Sequence, residues 1–251
     1  MRILVTGGAG YLGSELRRRV PDALATSHRT PFEGGIRLDV RDDEAVHRVL
    51  LEHGPDAVIH TAYVMGDPET ITRGSRNVAL AAHRVDARLI HLSTDLVFDG
   101  EQGAPYDEVA EPRPVSAYGQ AKLEAEALVR SHHPEALVVR TSLLYGRPGP
   151  QEALAQRDDI VFHNDEIRCP TRVDELAAAL LELAARDENG ILHVAAPDAV
   201  SRRELARLLG ACDPRGGPTP AGRARNVALD STRAAALLAT KLRGVNAATL
   251  Q

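Results

Sequence analysis

Three polar side chains in one stretch of this chain have the chemistry for a carbonyl reduction: Thr94, Tyr118 and Lys122. The stretch runs Leu92-Ser93-Thr94-Asp95-Leu96-Val97-Phe98-Asp99-Gly100 and, after a polar loop, resumes as Ser116-Ala117-Tyr118-Gly119-Gln120-Ala121-Lys122. A free tyrosine, with a pKa near ~10, is a poor acid or base at neutral pH. A neighbouring ammonium favours the phenolate and lowers that value. Such a phenol can give a proton to an alkoxide as hydride arrives, or take one in reverse. A threonine hydroxyl at a strand end can hydrogen-bond the substrate oxygen and fix its orientation. Asp95 is the rival polar group there and reads as a brace for the loop.

The elements that must position these groups follow from local signals. Pro112 and Pro114 disfavour helix before Ser116. Ser116 is a fair N-cap, and Ala121, Leu123, Ala125, Ala127 and Leu128 are good helix formers. Tyr118 and Lys122 therefore stand four apart on one helix face. Gly119 weakens the helix, and its missing side chain is expected to leave room for a ligand beside Tyr118. Tyr-x-x-x-Lys on its own occurs often by chance, and it gains weight here from a nucleotide fingerprint at the start of the chain.

That fingerprint is Gly7-Gly8-Ala9-Gly10-Tyr11-Leu12-Gly13, between the apolar run Ile3-Leu4-Val5-Thr6 and a helix over roughly Tyr11 to Arg19. It fits both G-x-G-x-x-G and G-x-x-G-x-x-G. Glycines permit a tight turn and close approach to a pyrophosphate, which the helix N-terminus attracts. A second strand, about Ala23 to Thr26, leads to Ser27-His28-Arg29-Thr30 with no acid for the ribose hydroxyls of NAD. Arg29 with Ser27 or Thr30 suits a 2′-phosphate, so NADP(H) is favoured and NAD(H) is the second choice. Asp39 and Val40 close a third strand, Ile36 to Leu38, where an adenine edge would lie. Thr61, Ala62 and Tyr63 follow the fourth strand, Ala57 to His60, near the cofactor.

The alternation continues through helices at Asp42 to His53 and Glu69 to His83 and strands at Arg88 to Leu92 and Ala136 to Arg140. It marks a doubly wound parallel α/β sheet. Arg147-Pro148-Gly149-Pro150 sets the expected boundary between a dinucleotide-binding domain, 1–146, and a small substrate lobe, 147–251. A strand at Ile191 to Ala195 is a candidate to rejoin the first domain's sheet. Within the lobe a strand is expected at Ile160-Val161-Phe162 and helices at Val173 to Arg186, from Ser201 to about Leu209, and at Ser231 to Leu242. Asp213 to Gly222, rich in Pro and Gly, reads as a flexible loop.

Composition narrows the classes. With 251 residues, 43% apolar, the chain suits one large α/β domain with a small lobe. A net charge of −5 with scattered arginines argues against a nucleic-acid partner. Cys169 and Cys212 show no disulfide framework, and no metal-ligand spacing is visible among the cysteines and histidines. With no signal peptide pattern or long apolar span, a cytoplasmic protein with no membrane partner is expected.

The motifs together resemble the extended short-chain dehydrogenase/reductases, and within them the dTDP-4-dehydrorhamnose reductase-like group. The most specific part is Ser93-Thr94-Asp95-Leu96-Val97-Phe98-Asp99-Gly100, then Pro105-Tyr106-Asp107-Glu108, Pro114 and Tyr118-Gly119-Gln120-Ala121-Lys122. Arg140-Thr141-Ser142 and Pro170-Thr171 with Val173 and Glu175-Leu176-Ala177 extend it. The resemblance implies a Rossmann fold and reduction of a 4-keto group on a nucleotide-linked sugar by a nicotinamide cofactor. It implies that Thr94 orients the carbonyl, Tyr118 donates the proton, and Lys122 holds the nicotinamide ribose and tunes Tyr118. A homodimer is common among such relatives. The chain departs from the group's pattern at His60-Thr61, Ile71 and Leu143, and over a shortened stretch from Gly146 to Cys169. Two other readings stay open: a non-catalytic subunit, as in the regulatory subunit of methionine adenosyltransferase that the group also resembles, and an epimerase or dehydratase using Asp95 as its extra acid or base.

Overall fold

The computed structural model describes residues 1–146 and 148–248. In chain order the elements are β1 (Ile3–Thr6), α1 (Tyr11–Arg19), β2 (Leu24–Ser27), β3 (Ile36–Arg37), α2 (Asp43–His53), β4 (Ala57–His60), α3 (Pro68–Arg84) and β5 (Arg88–Thr94). After a 3-10 turn at Asp95–Val97 come α4 (Ala117–His132), β6 (Leu137–Thr141), β7 (Leu144–Tyr145), α5 (Pro150–Ala155), β8 (Phe162–His163), β9 (Ile167–Arg168), β10 (Thr171–Arg172) and α6 (Val173–Ala184). The chain continues with β11 (Gly190–His193), β12 (Val200–Ser201), α7 (Arg202–Leu208), β13 (Gly216–Gly217), α8 (Thr232–Leu237) and α9 (Val245–Ala248).

Seven strands form one sheet in the order β11-β6-β5-β4-β1-β2-β3. β1 runs parallel to β2 and β4, β2 to β3, and β4 to β5. Strand order turns outward in both directions from β1 and β4. That is the switch point of a doubly wound sheet, where such folds bind ligands beyond the strands' carboxyl ends. The expected α/β fold is the fold observed, and β11 joins the sheet as its sequence suggested. β1 and β4 are buried at every position, as apolar runs sandwiched between helix layers must be.

The chain separates into two compact units that interleave in sequence. The first comprises Met1–Ser93, Gln120–Val139 and Ala177–Ile191; the second comprises Thr94–Gly119, Arg140–Leu176 and Leu192–Gln251. The core of the first packs Leu4, Val58 and Leu89 of the sheet against Val46 and Leu50 of α2, Val78 and Ala82 of α3, and Val129 of α4. Each such aliphatic side chain contributes on the order of 1.5–3 kcal/mol by leaving water. Caps set the helix starts: Asp42 accepts from Ala45 N, and Asp67 accepts from Thr70 N with Pro68 opening α3.

The second unit is built from short pairings: β7 with β10, β9 with β12, and β8 with β13. Small cores gather around Tyr145, Leu205 and Val245, and around Ala155, Phe162 and Ala206. Ser201 caps α7 as expected, accepting from Glu204 N. Two expectations are corrected. The stretch from Asp213 to Gly222 is not a free loop: Gly216–Gly217 pairs with β8, and Thr219 is anchored through its N–H and hydroxyl to Asp165, both 2.7 Å. The helix expected over Ser231 to Leu242 ends at Leu237, because Leu238 turns extended to bury its side chain. Core burial there outweighs the helix propensity of the alanine run.

Candidate active site

In the first unit a cavity of about 310 Å³ opens at the carboxyl ends of β1, β2 and β4. Gly7, Gly10, His28, Arg29, Asp39, Val40, Thr61, Ala62 and Tyr63, all expected at a cofactor site, line it together. Thr26, Leu38 and Thr70 also line it and were missed. Gly7 has φ +74°, and a Cβ there would stand 2.9 Å from the Ala62 backbone. A Cβ on Gly13 would stand 2.2 Å from the Gly7 carbonyl oxygen, so α1 packs directly on the turn. Gly8 is also close-packed, since a Cβ there would stand 2.8 Å from the Ala25 Cβ. Tyr11, Leu12 and Gly13, also expected at the cofactor site, stand in the first turn of α1 and are not among the residues lining this cavity. That helix start carries no side-chain cap and no acid in its first turn. Its N–H groups and positive dipole end suit a pyrophosphate.

A second cavity adjoins it through Ser27, His28 and Arg29 and is lined also by Arg37. Arg37 faces Ser27 in register across the β2–β3 pair. It is a second guanidinium beside Arg29, invisible without the strand pairing. The Ser27 hydroxyl donates to Thr30 O at 2.6 Å, so its proton holds the loop. Asp39 is held by Arg41 at 2.7 Å, and this guanidinium lowers the carboxyl to about 2. These residues fit a nicotinamide dinucleotide: the glycine turn leaves room for a pyrophosphate, and Arg29 and Arg37 bring two cations to the adjoining cavity.

Lys122, in the first unit, is buried. Its Nζ donates to Leu92 O at 2.6 Å and lies 5.5 Å from the centre of the Tyr63 ring. Burial pulls its pKa to about 8, and Glu126 partly offsets this. Tyr118, in the second unit, is half-buried in the first turn of α4. Ser116 accepts from Gly119 N at 3.1 Å, confirming the expected cap. Tyr118 and Lys122 both stand on α4, four residues apart.

Gly119 is corrected: its missing side chain makes no room for a ligand. A Cβ there would stand 2.1 Å from Leu96 O. The absence of a side chain lets α4 pack backbone to backbone on the turn that follows β5.

That turn carries Thr94 and Asp95. The Thr94 hydroxyl accepts from Leu96 N at 3.2 Å and donates to Asp95 Oδ1 at 3.1 Å. Asp95 is fully buried and forms a bidentate ion pair with Arg168. It also accepts from the Ser142 hydroxyl at 2.6 Å. Asp95 is the brace its position suggested. The other motif residues brace as well. Tyr106 stacks on Phe98 at 4.1 Å, donates to Asp99 at 2.6 Å and accepts from Gly100 N, while Glu108 accepts from His193 N.

Among the described residues, no three His, Cys, Asp or Glu side chains are placed to hold a metal ion. No helix there is long and apolar enough to cross a membrane.

Sheet order, glycine turn and cavity define a doubly wound, dinucleotide-binding protein. More closely, the chain belongs to the RmlD substrate binding domain family, which matches residues 1–249. It is 34% identical over 245 residues to a probable low-salt glycan biosynthesis reductase of Haloferax volcanii, covering 86% of this chain and 81% of that one. It is 34% identical over 233 residues to dTDP-4-dehydrorhamnose reductase of Mycobacterium tuberculosis, covering 83% and 74%. Its structure is similar to that of dTDP-4-dehydrorhamnose reductase from Bacillus anthracis in complex with NADP. The TM-score is 0.85, the identity 26%, and the match covers 99% of this chain and 97% of that one.

Proposed function

We propose that this protein is an NADPH-dependent reductase of a keto group on a nucleotide-linked sugar, in the manner of dTDP-4-dehydrorhamnose reductase. The observation that carries the reading is the glycine turn opening, with Arg29, Thr61, Ala62 and Tyr63, onto a single cavity. The names of its relatives support the keto-sugar. When bound, the nicotinamide supplies a hydride to the carbonyl carbon. Tyr118 gives its phenolic proton to the carbonyl oxygen as charge develops there. The Thr94 hydroxyl orients that oxygen. Lys122 holds the nicotinamide ribose, and its charge favours the phenolate of Tyr118. Arg29, with Arg37, takes the 2′-phosphate of NADP, and NAD binds more weakly. The second unit, which interleaves with the first instead of starting at residue 147, receives the sugar nucleotide.

The state of Asp95 favours a reductase over an epimerase or dehydratase. Those reactions need an extra acid or base beside the threonine, and the Asp95 carboxylate is committed to Arg168, Ser142 and Thr94. A cytoplasmic setting, reducing enough to keep Cys169 and Cys212 as thiols, and a homodimer complete the proposal.

The test mixes purified protein with NADPH and a panel of nucleotide-linked 4-keto-sugars and follows nicotinamide absorbance. Net oxidation with one of them is the expected result. Product without net oxidation means an epimerase. Inertness to every sugar, while NADP raises the melting temperature, means a non-catalytic subunit.

A further inference from the structure

The ion pair of Asp95 with Arg168 lies in direct contact with the proposed chemistry, and it bears on a conflict within the second unit. A carbonyl under reduction needs hydrogen-bond donors, yet the only proton of the Thr94 hydroxyl points at Asp95 Oδ1. A bare buried carboxylate would hold that proton firmly. Here both carboxylate oxygens are already engaged by the guanidinium fork, and Oδ2 also accepts from Ser142. Thr94 makes the longest of these bonds, at 3.1 Å, and is the partner most easily exchanged for a substrate oxygen.

We propose that Arg168 is a positioning residue for the reduction: by saturating Asp95 it releases the Thr94 hydroxyl to the substrate carbonyl. This rests on the reductase reading above and adds a residue that the motifs did not single out.

Three observations converge on it. The close packing of Gly119 on Leu96 O fixes the first turn of α4, and with it the Tyr118 backbone, against the turn that Arg168 anchors. Arg168 is itself buried on β9, so its field is little screened. Burial opposes its charge, but the Asp95 carboxylate, Glu166 and the phenolate form of Tyr118 outweigh burial and hold its pKa above the usual arginine value; by the same attraction the guanidinium favours that phenolate. The other charged groups around the pair are the Glu166 carboxylate at 3.7 Å from Arg168 and Arg202 on α7, which faces Glu166 at 4.0 Å. Arg223 and His163 hold the far oxygen of Glu166. Cys169, which follows Arg168, stays a neutral thiol because burial pushes it up to about 11. Arg168 keeps its charge at every working pH.

The experiment compares the parent with Arg168→Met and Arg168→Lys, using NADPH and a dTDP-linked 4-keto-sugar from pH 6 to pH 11. In the reducing direction Tyr118 must be protonated, so kcat/KM falls above its pKa. A cation lowers that pKa, so Arg168→Met is expected to move the alkaline limb up by about one pH unit. It should also lower kcat about 100-fold with little change in KM, since the lost interaction belongs to the transition state. Arg168→Lys keeps the charge but not the fork, so its limb should stay in place while kcat falls at least ~10-fold. NADP should raise the melting temperature of all three proteins equally. An unmoved limb in Arg168→Met overturns the assignment. Should that variant fail to fold, Arg168→Lys decides alone, and parental kcat in it overturns the assignment. A parent protein inert to every keto-sugar refutes the reductase reading itself and takes this inference with it.

Discussion

Gly119→Ala sets helix propensity against packing and gives an outcome that sequence rules alone would get backwards. Alanine in place of glycine inside a helix is worth about 1 kcal/mol. In this protein the added Cβ would stand 2.1 Å from the Leu96 carbonyl oxygen, and Cβ atoms essentially never come within 3.0 Å of such neighbours. Both partners are backbone, so roughly 0.9 Å of main chain must move. Overpacking of this kind costs about 1–3 kcal/mol, and more where neither side can yield. The net expectation is destabilisation by about 1–2 kcal/mol, a fall in melting temperature of roughly 2–8 °C. The displaced groups are Tyr118 and the turn bearing Thr94. A shift of about 1 Å in reacting groups lowers turnover about 100-fold. The assay is a thermal melt with and without NADP, alongside kcat for the keto-sugar. The exposed neighbour Gln120→Ala is the control, expected within about 0.5 kcal/mol of the parent. A Gly119→Ala protein that melts at or above the parental temperature with parental kcat would refute the packing account.

Other variants test the remaining roles. Tyr118→Phe should abolish turnover while NADPH still raises the melting temperature, and residual turnover near the parental rate would remove Tyr118 as proton donor. Arg29→Ala and Arg37→Ala should each weaken NADP by at least ~10-fold more than NAD in titrations, and equal losses would retire the 2′-phosphate role. His91 is buried with neither ring nitrogen hydrogen-bonded, its ring 5.4 Å from that of His60. Burial, with Lys122 adding, lowers His60 to about 3 and His91 well below its ordinary value. The unfolded chain therefore binds these protons near pH ~6.5 while the folded chain does not, so stability is lost as pH falls below that value. His91→Leu should be about 1 kcal/mol more stable at pH 7 and lose less between pH 7 and pH 5 in chemical denaturation. An equal acid loss in both proteins would contradict this sign.

Local features of the site were legible because chain geometry alone fixes them. Tyr118 and Lys122 had to share a helix face once Ser116 capped α4. The turn from Gly7 to Gly13 had to sit between a buried strand and a helix. What stayed hidden depends on contacts between distant residues. Arg37 reaches the Arg29 cavity only through strand register. The partner that commits Asp95 lies 73 residues on, at Arg168, with no local signal of its own. The Gly119 reading failed for the same reason, since the occupant of its missing side chain is a carbonyl from another segment. Likewise Leu238 left a well-formed helix pattern because the core claimed its side chain.

The most direct test of the reductase reading follows the hydride itself. NADPH carrying deuterium at the transferable position of its nicotinamide is incubated with the protein and a dTDP-linked 4-keto-sugar, and the product is examined by mass spectrometry. Reduction by this protein should place one deuterium on the former carbonyl carbon for each NADPH oxidised. An altered sugar without label, or intact keto-sugar beside bound cofactor, would contradict it.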